Sequence, residues 1–178
     1  MALTRLGTNA ITSVPSSAIT ALPAGVVDAN ALASGVGGKV LQVIQATNTT
    51  LFSSSSGSMT ATGKTVSITP SSTSSKIFLT FSYVIRKNVD DNNIFQNIFR
   101  QIGAGSYSAL VGGRGLAQHS IANSGQVDTV HVTLNYLDSP NTTSAINYQL
   151  YCQNESGGTF VVSPDSVIAV MTAWEIGA

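Results

Sequence analysis

Apolar and polar side chains alternate along short segments throughout residues 38–178, and this alternation constrains the fold more than any other feature of the sequence. In Val130–Tyr136 the apolar side chains occupy every second position, with His131 and Thr133 between them. A period of two residues is that of a β-strand with one face on a core. Eight segments rich in β-branched or aromatic residues are predicted as strands: Lys39–Ala46, Thr65–Thr69, Lys76–Arg86, Phe95–Ile102, Thr129–Leu137, Ala145–Gln153, Thr159–Val162 and Val167–Ile176.

Turn-forming residues separate these segments, as in Asp138–Asn141 and Ser163–Asp165. No stretch of ten or more residues carries an apolar stripe of helical period. About eight strands at this spacing are typical of an antiparallel β-sandwich or jelly roll, so we predict an all-β head. The last segment is apolar on both faces, which predicts a central strand or a subunit interface, with Trp174 and Ile176 as candidate interface residues.

The N-terminal region is an eight-residue repeat. Residues 2–33 divide into the octads ALTRLGTN, AITSVPSS, AITALPAG and VVDANALA. Pro15 and Pro23 recur at the sixth position and exclude a continuous helix, because proline removes a backbone donor and biases the preceding residue towards extended backbone. An extended octad cannot bury its apolar side chains against itself, so it needs a partner. The candidate anchor or trimer contacts are Leu3, Ile11, Val14, Ile19, Leu22 and Val27.

Three interpretations of the octads remain open. Three identical chains could wind about one axis as a shaft, the octads could lie on another protein as an anchor, or they could form a disordered leader. The segment Gly35–Gly38 indicates a flexible joint, after which the octads give way to the alternating segments. We therefore predict an extended octad-repeat anchor or shaft at 1–37 and a jelly-roll-like β-sandwich head at 38–178.

The composition narrows the choice of partners. Charged residues make up only 9% of the chain, far below the roughly 25% of ordinary soluble domains. A surface of hydroxyl and amide groups does little to discourage association, so self-association is predicted. Eight basic and eight acidic residues cancel, which argues against nucleic-acid binding. No apolar stretch approaches the roughly 18 residues of a membrane span and no secretory signal is evident, so we expect no membrane insertion and folding in a cytoplasm.

Motifs for catalysis are weak. The segment Gly57–Thr65 is similar to a phosphate-binding loop, but one residue too many separates its glycines, and a strand is predicted where such a loop requires a helix. No Ser, His and acid constellation is legible, so neither enzymatic activity nor a cofactor is expected. Asp90 and Asp91 could ligate calcium, and His119 or His131 could meet at a threefold axis. Solvated loops and strand faces are the simpler interpretation, and no metal is expected.

One segment has side chains suited to binding a receptor on the host surface. Tyr107, His119, Asn123 and Gln126 fall in or after a glycine-rich segment at 103–115. They carry aromatic and polar groups that stack on saccharides and hydrogen-bond to them, and host-surface glycan is a candidate ligand. Ordinary solvation of a loop is the alternative.

Several segments resemble the fibre and decoration proteins of tailed bacteriophages. The tail resemblance lies in Asn9-Ala-Ile11-Thr and Ser17-Ala-Ile19-Thr, and the head resemblance in Lys76–Tyr83, Val130–Tyr136 and Ala169–Ala178. The resemblance implies a homotrimer located in the virion, attached through its N-terminus to another virion protein, with an outward-facing β head. It does not choose between tail fibre, head fibre and capsid decoration.

The expected function is therefore that of a non-enzymatic virion structural protein that contacts the host surface. The alternative within the same class is a decoration protein that stabilises the capsid shell. An alternative of another class is a glycan-modifying enzyme, against which the absence of a carboxylate-rich strand face argues.

Overall fold

The structure is a computed structural model that describes residues 39–87, 92–121, 127–155 and 158–177. A turn of 3-10 helix at Pro164–Ser166 precedes the last strand. The strands within these ranges are β1 (Val40–Asn48), β2 (Phe52–Ser54), β3 (Thr60–Ile68), β4 (Lys76–Lys87), β5 (Asn92–Ile102), β6 (Ser108–Ala109), β7 (Ala117–Ile121), β8 (Asp128–Asp138), β9 (Ile146–Asn154), β10 (Phe160–Val162) and β11 (Ala169–Ile176).

The long strands pair as one hairpin folded over on itself. Strand β1 pairs with β11, β3 with β9, β4 with β8 and β5 with β7, and every pair is antiparallel. This nesting places β1, β11, β4 and β8 in one sheet, called sheet A, and β3, β9, β5 and β7 in a second, called sheet B. It is the connectivity of a jelly roll, and the predicted all-β antiparallel sandwich is confirmed.

All eight predicted strands are present, although several ends differ. Strand β3 begins at Thr60 rather than Thr65, and β11 begins at Ala169 rather than Val167. The predicted central position of the last strand is also observed, because β11 lies between β1 and β4. The short strands β2, β6 and β7 were not predicted, since they carry no alternating pattern of their own and are held by hydrogen bonds to β10 or β5.

The hydrophobic core lies between the two sheets. On β4 the inward side chains of Ile77, Leu79, Phe81 and Tyr83 are at most 1% exposed. Burying side chains of this size stabilises a fold by roughly 1.5–3 kcal/mol each. Sheet B contributes Val66, Ile68, Ile94, Ile98, Ile146, Tyr148, Leu150 and Cys152. Because side chains alternate, the opposite positions of the same strands form two outer faces.

The octad repeat lies outside the described residues, as does the predicted boundary between residues 37 and 38. The contacts expected of Leu3, Ile11, Val14, Ile19, Leu22 and Val27 therefore stay predictions. In the described ranges, no helix has the length and apolar character needed to cross a membrane.

Candidate interaction surfaces

The outer face of sheet A carries a continuous apolar row across four strands. Val43 on β1 lies opposite Trp174 on β11, Trp174 opposite Phe78 on β4, and Phe78 opposite Leu137 on β8. The rings of Phe78 and Trp174 lie 5.4 Å apart at an angle of 40°. Val43 is 51% exposed, Phe78 37% and Leu137 49%. We call these four residues the apolar row; such an exposed apolar patch on a soluble domain marks an interaction surface.

The rest of this face mixes polar and apolar side chains and is mostly uncharged. In the next register row, Thr80 donates a 3.0 Å hydrogen bond to Oδ1 of Asn135. The basic side chains on the β4 part of the face, Lys76 and Arg86, lie at its two ends. Arg86 is paired with Asp165 at 2.9 Å. The middle of the face therefore offers hydroxyl, amide and apolar groups, which can pack against an identical surface without like-charge repulsion.

Strand β1 forms one edge of sheet A in the described structure, pairing with β11 on one side. Its apolar side chains remain exposed on both faces, with Leu41 and Ile44 at 45% and 37%. An edge with unpaired backbone groups and apolar side chains is a template for pairing with another chain. This edge and the apolar row are contiguous through Val43.

Of the two candidate head-interface residues, the structure places Trp174 in the apolar row and Ile176 at the neighbouring position of the same face, opposite Lys76. Both are half-buried. Their role in an interface stays a prediction.

The outer face of sheet B carries a cluster of aromatic and amide side chains. The rings of Phe99 on β5 and Tyr151 on β9 stack at 3.9 Å with an angle of 19°, and Tyr107 lies 5.9 Å from Tyr151. The amide of Asn147 donates to the phenol oxygen of Tyr107, and Gln149 lies directly opposite Phe99. We call these five residues the aromatic–amide face. Burial raises the pKa of Tyr107 and of Tyr151, so both phenols remain hydrogen-bond donors at neutral pH.

The glycine-rich segment 103–116 positions Tyr107 by folding back along β5. Nε2 of Gln101 donates a 2.7 Å hydrogen bond to the carbonyl of Gly105, and Nδ2 of Asn97 donates one of 2.7 Å to the carbonyl of Val111. Gly115 has φ +99°, and a Cβ atom there would lie 2.5 Å from the carbonyl oxygen of Gln96. Only glycine fits so close an approach, which explains its presence at this point of the segment.

A shallow cleft of about 190 Å³ lies beside the start of β7. The guanidinium of Arg114 covers the ring of Phe95 at 4.7 Å and pairs with Glu155 at 2.5 Å. A hydrogen bond from Asn93 lowers the pKa of Glu155 against the opposing effect of burial, and Arg114 lowers it further. The one charged side chain among the described residues that line this cleft, Arg114, is thus already paired within the chain.

The four candidate receptor-loop residues do not form one site. Tyr107 belongs to the aromatic–amide face. His119 lies on β7 opposite the core residue Ile94, and its Nε2 is 3.0 Å from Oδ2 of Asp128 in sheet A. Tyr107 and His119 thus lie on opposite faces of sheet B and near opposite ends of β5. Asn123 and Gln126 lie outside the described residues. The sequence analysis did not identify Phe99, Asn147, Gln149 and Tyr151 as site residues. The alternation along β5 and β9 indicates that they share one face of the sheet, but it does not indicate that Tyr107 packs against that face.

The motif similar to a phosphate-binding loop is part of the sheet. Its lysine, Lys64, lies on β3, is buried, and donates to Oδ1 of Asn48 at 2.8 Å and to the carbonyl of Thr50. Burial lowers the pKa of Lys64. A lysine held in this way cannot reach a phosphate at the surface.

Metal ligands are not grouped in the described ranges, where no three His, Cys, Asp or Glu side chains converge. Asp90 and Asp91 lie outside those ranges. His131 is exposed on the outer face of sheet A, where its Nε2 is 2.8 Å from the hydroxyl of Ser82. The expectation that the chain holds no metal stays a prediction.

Comparison with known proteins gives only a weak likeness. No protein family and no curated protein matches the sequence. The structure of infectious bursal disease virus Gt strain matches with a TM-score of 0.43 at 16% identity, over 88% of this chain and 43% of that chain. The T13 particle of the same virus gives 0.44 at 15%, over 88% and 40%. The chain spans less than half the length of these viral chains. At such identities and TM-scores, the likeness carries no conclusion about function.

Proposed function

We propose that this protein is a structural component of a bacteriophage particle that assembles as a homotrimer. Residues 1–37 attach it to another virion protein, and the jelly-roll head contacts the host surface. In this role the chain acts by binding rather than by catalysis, and it needs neither a cofactor nor a metal ion. Three weak sites on one rigid body raise the avidity for a surface without any new contact.

The observation that carries the proposal is the apolar row, which crosses all four long strands of a sheet face with few charged side chains. Each side chain of the row is partly exposed, so completing its burial in a subunit interface contributes on the order of 1 kcal/mol. Natural proteins use charged side chains to keep sheet edges from pairing with other chains. Such side chains are few on this face and make up only 9% of the chain. An apolar surface with so little charge favours self-association of the chain.

The test is the absolute mass in solution, measured by light scattering on the full chain. The proposal expects about three times the chain mass of 18.4 kDa. Leu137→Asp places a charge in the apolar row and should give the mass of one chain, because three buried carboxylates are costly to desolvate. Thr73→Asp, in an exposed loop between β3 and β4, is the matched control and should leave the mass unchanged. A wild-type protein that stays monomeric at all concentrations would overturn the trimer.

The octads supply a second, independent test. If three tails meet at one axis, Ile19→Asp brings three like charges together and weakens assembly of the full chain. An unchanged mass and melting temperature would remove the shaft and leave an anchor on another virion protein or a disordered leader as the interpretation of residues 1–37.

Particles lacking the protein distinguish host attachment from capsid decoration. A fibre predicts particles that survive heat and low salt but no longer adsorb to cells. A decoration protein predicts the reverse. Release of reducing sugar or acetate from host polysaccharide by the purified protein would contradict both.

A further inference from the structure

The outer face of sheet B has a chemistry that the assembly proposal does not use. We infer that the aromatic–amide face, formed by Phe99, Tyr107, Asn147, Gln149 and Tyr151, is a binding site for a neutral saccharide. Pyranose rings present an apolar C–H face and a rim of hydroxyl groups. They are recognised where partly exposed aromatic rings lie beside uncharged donors and acceptors.

The aromatic half of the site is preassembled. Phe99 and Tyr151 stack face to face at 3.9 Å, and Tyr107 is tilted by 49° against Tyr151. All three side chains remain half-buried rather than covered. The ring edges and the free parts of their faces form an apolar platform that needs no rearrangement, so little conformational entropy is lost on binding.

The polar half has unused hydrogen-bonding capacity. The side-chain amide of Gln149 makes no hydrogen bond within the described part of the chain, although the residue is half-buried between Phe99 and Thr65. Asn147 accepts from the hydroxyl of Ser67 at 3.2 Å while donating to Tyr107. An amide offers both a donor and an acceptor, and a saccharide hydroxyl needs both.

A buried acceptor nearby is also unsatisfied. Asn97, the register partner of Tyr151, is 1% exposed, and its Oδ1 has no hydrogen-bond partner in the described structure. Leaving a buried acceptor unpaired costs roughly 1–3 kcal/mol. An ordered water molecule is the usual partner of such a covered acceptor.

The charge distribution selects neutral over acidic sugars. The outward positions of β9, Asn147, Gln149, Tyr151 and Gln153, carry no ionisable acid or base other than the phenol. The nearest cation along this side of β5, Arg114, is paired with Glu155 beside Phe95. A sialic or uronic acid carboxylate would therefore be desolvated without a counter-charge.

The site also remains accessible in the proposed trimer. The apolar row lies on the outer face of sheet A and the aromatic–amide face on the outer face of sheet B, on opposite sides of the same sandwich. If the three sheet A faces meet around the threefold axis, the sheet B faces point away from that axis and stay free. The biological role of the site, contact with host glycan, rests on the proposed function, whereas saccharide binding itself does not.

The experiment is saturation-transfer difference NMR on the full-length protein with lactose, maltotriose, cellotriose and chitotriose at millimolar concentration. Lactose is matched with 3′-sialyllactose, which adds one carboxylate. The expected result is transfer to at least one neutral sugar, and weaker transfer to sialyllactose than to lactose if lactose binds. Absence of transfer to all four neutral sugars, or binding of sialyllactose alone, would overturn the inference.

Variants locate the binding on the protein. Gln149→Ala and Tyr151→Ala should each weaken binding by about tenfold, corresponding to the loss of one hydrogen bond or one aromatic contact. Gln153→Ala is the matched control, because it removes the same amide from the same face of β9, next to Phe95 instead of Phe99. Equal losses in Gln149→Ala and Gln153→Ala, with unchanged melting temperatures, would place the sugar elsewhere.

Light scattering on the same samples separates the two proposals. A monomer that binds a neutral sugar would overturn the trimer and keep the saccharide site. A trimer that binds none, and that dissociates in Tyr151→Ala, would identify the aromatic–amide face as an interface between copies.

Discussion

The phenol of Tyr148 donates a 2.7 Å hydrogen bond to the carboxylate of Asp138, joining sheet B to sheet A inside the sandwich. The same carboxylate accepts two hydrogen bonds of 2.8 and 2.9 Å from Nη1 of Arg100. Asp138 is 6% exposed, so both partners are needed to keep its charge inside the fold. Burial, together with Asp138, raises the pKa of Tyr148 far above its usual value, which keeps this phenol protonated.

Tyr148→Phe should lower the free energy of unfolding by about 2 kcal/mol, because a hydrogen bond to a buried charge is lost. Urea denaturation followed by circular dichroism measures the change. Tyr136→Phe is the control, since the Tyr136 hydroxyl makes only a 3.5 Å contact to the carbonyl of Leu110. Equal effects of the two substitutions would mean that the link between Tyr148 and Asp138 contributes nothing specific.

The hydrogen bonds to the Glu175 carboxylate should make the fold less stable in acid. Burial alone would raise its pKa, but hydrogen bonds from Ser71 and Gln42 outweigh that effect and lower the pKa to about 2. The hydroxyl and amide N–H of Ser71 donate at 2.6 and 2.7 Å, and Nε2 of Gln42 at 2.6 Å. Because the pKa is depressed in the folded state, the stabilisation is complete above the ordinary value of 4.5 and is lost as the pH falls towards 2.

Glu175→Gln should therefore cost about 2 kcal/mol at pH 7 and progressively less below pH 4.5. Urea midpoints of the wild-type protein and of Glu175→Gln, compared at pH 7, 4 and 2.5, test this pH dependence. A difference that does not shrink in acid would show that the charge of Glu175 is not what its partners stabilise.

Cys152 should be unreactive while the protein is folded. The thiol is fully buried on β9, and burial raises its pKa, so little reactive thiolate is present. Labelling by a disulfide reagent at pH 8 should be at least about a hundredfold slower in buffer than in urea. Rapid labelling of the native protein would indicate that β9 opens locally, against its place between β3 and β5.

Phe81 and Phe78 lie on opposite faces of β4 and should respond differently to substitution by alanine. Phe81 is fully buried, so Phe81→Ala should cost roughly 3–5 kcal/mol of unfolding free energy. Phe78 is 37% exposed, and Phe78→Ala should cost less in the dissociated protein but should weaken self-association. Urea denaturation at low concentration, combined with light scattering, separates the two effects; similar losses of stability would argue that the face around Phe78 is already covered within one chain.

Trp174 is the single tryptophan of the sequence and lies in the apolar row. Its fluorescence should shift to shorter wavelength as the protein concentration rises, because assembly through this row removes the indole from water. Leu137→Asp should abolish the concentration dependence. An emission maximum that is constant across the range in which the mass changes would place the subunit interface elsewhere.

Strand positions were predictable because a period of two residues is a local property. Lys76–Arg86 alternates so regularly that its prediction nearly coincides with β4, whereas β2 ends within a serine-rich run that carries no such signal. The face that each side chain occupies followed from the same alternation. The residue that lies opposite each side chain on the neighbouring strand could not be predicted in this way, because register depends on strands that are far apart in the chain.

The sequence by itself determined that the head is all-β, that β11 is apolar on both faces, and that the surface is nearly uncharged, since each follows from residue type and spacing. Only the tertiary structure decided that β1 pairs with β11 and β4 with β8, which aligns Val43, Trp174, Phe78 and Leu137 in one row. Only the folding of the glycine-rich segment back along β5 brings Tyr107 to Tyr151. The physical reason is that both surfaces arise from long-range strand pairing, whose energy comes from the shared core and has no counterpart in local sequence.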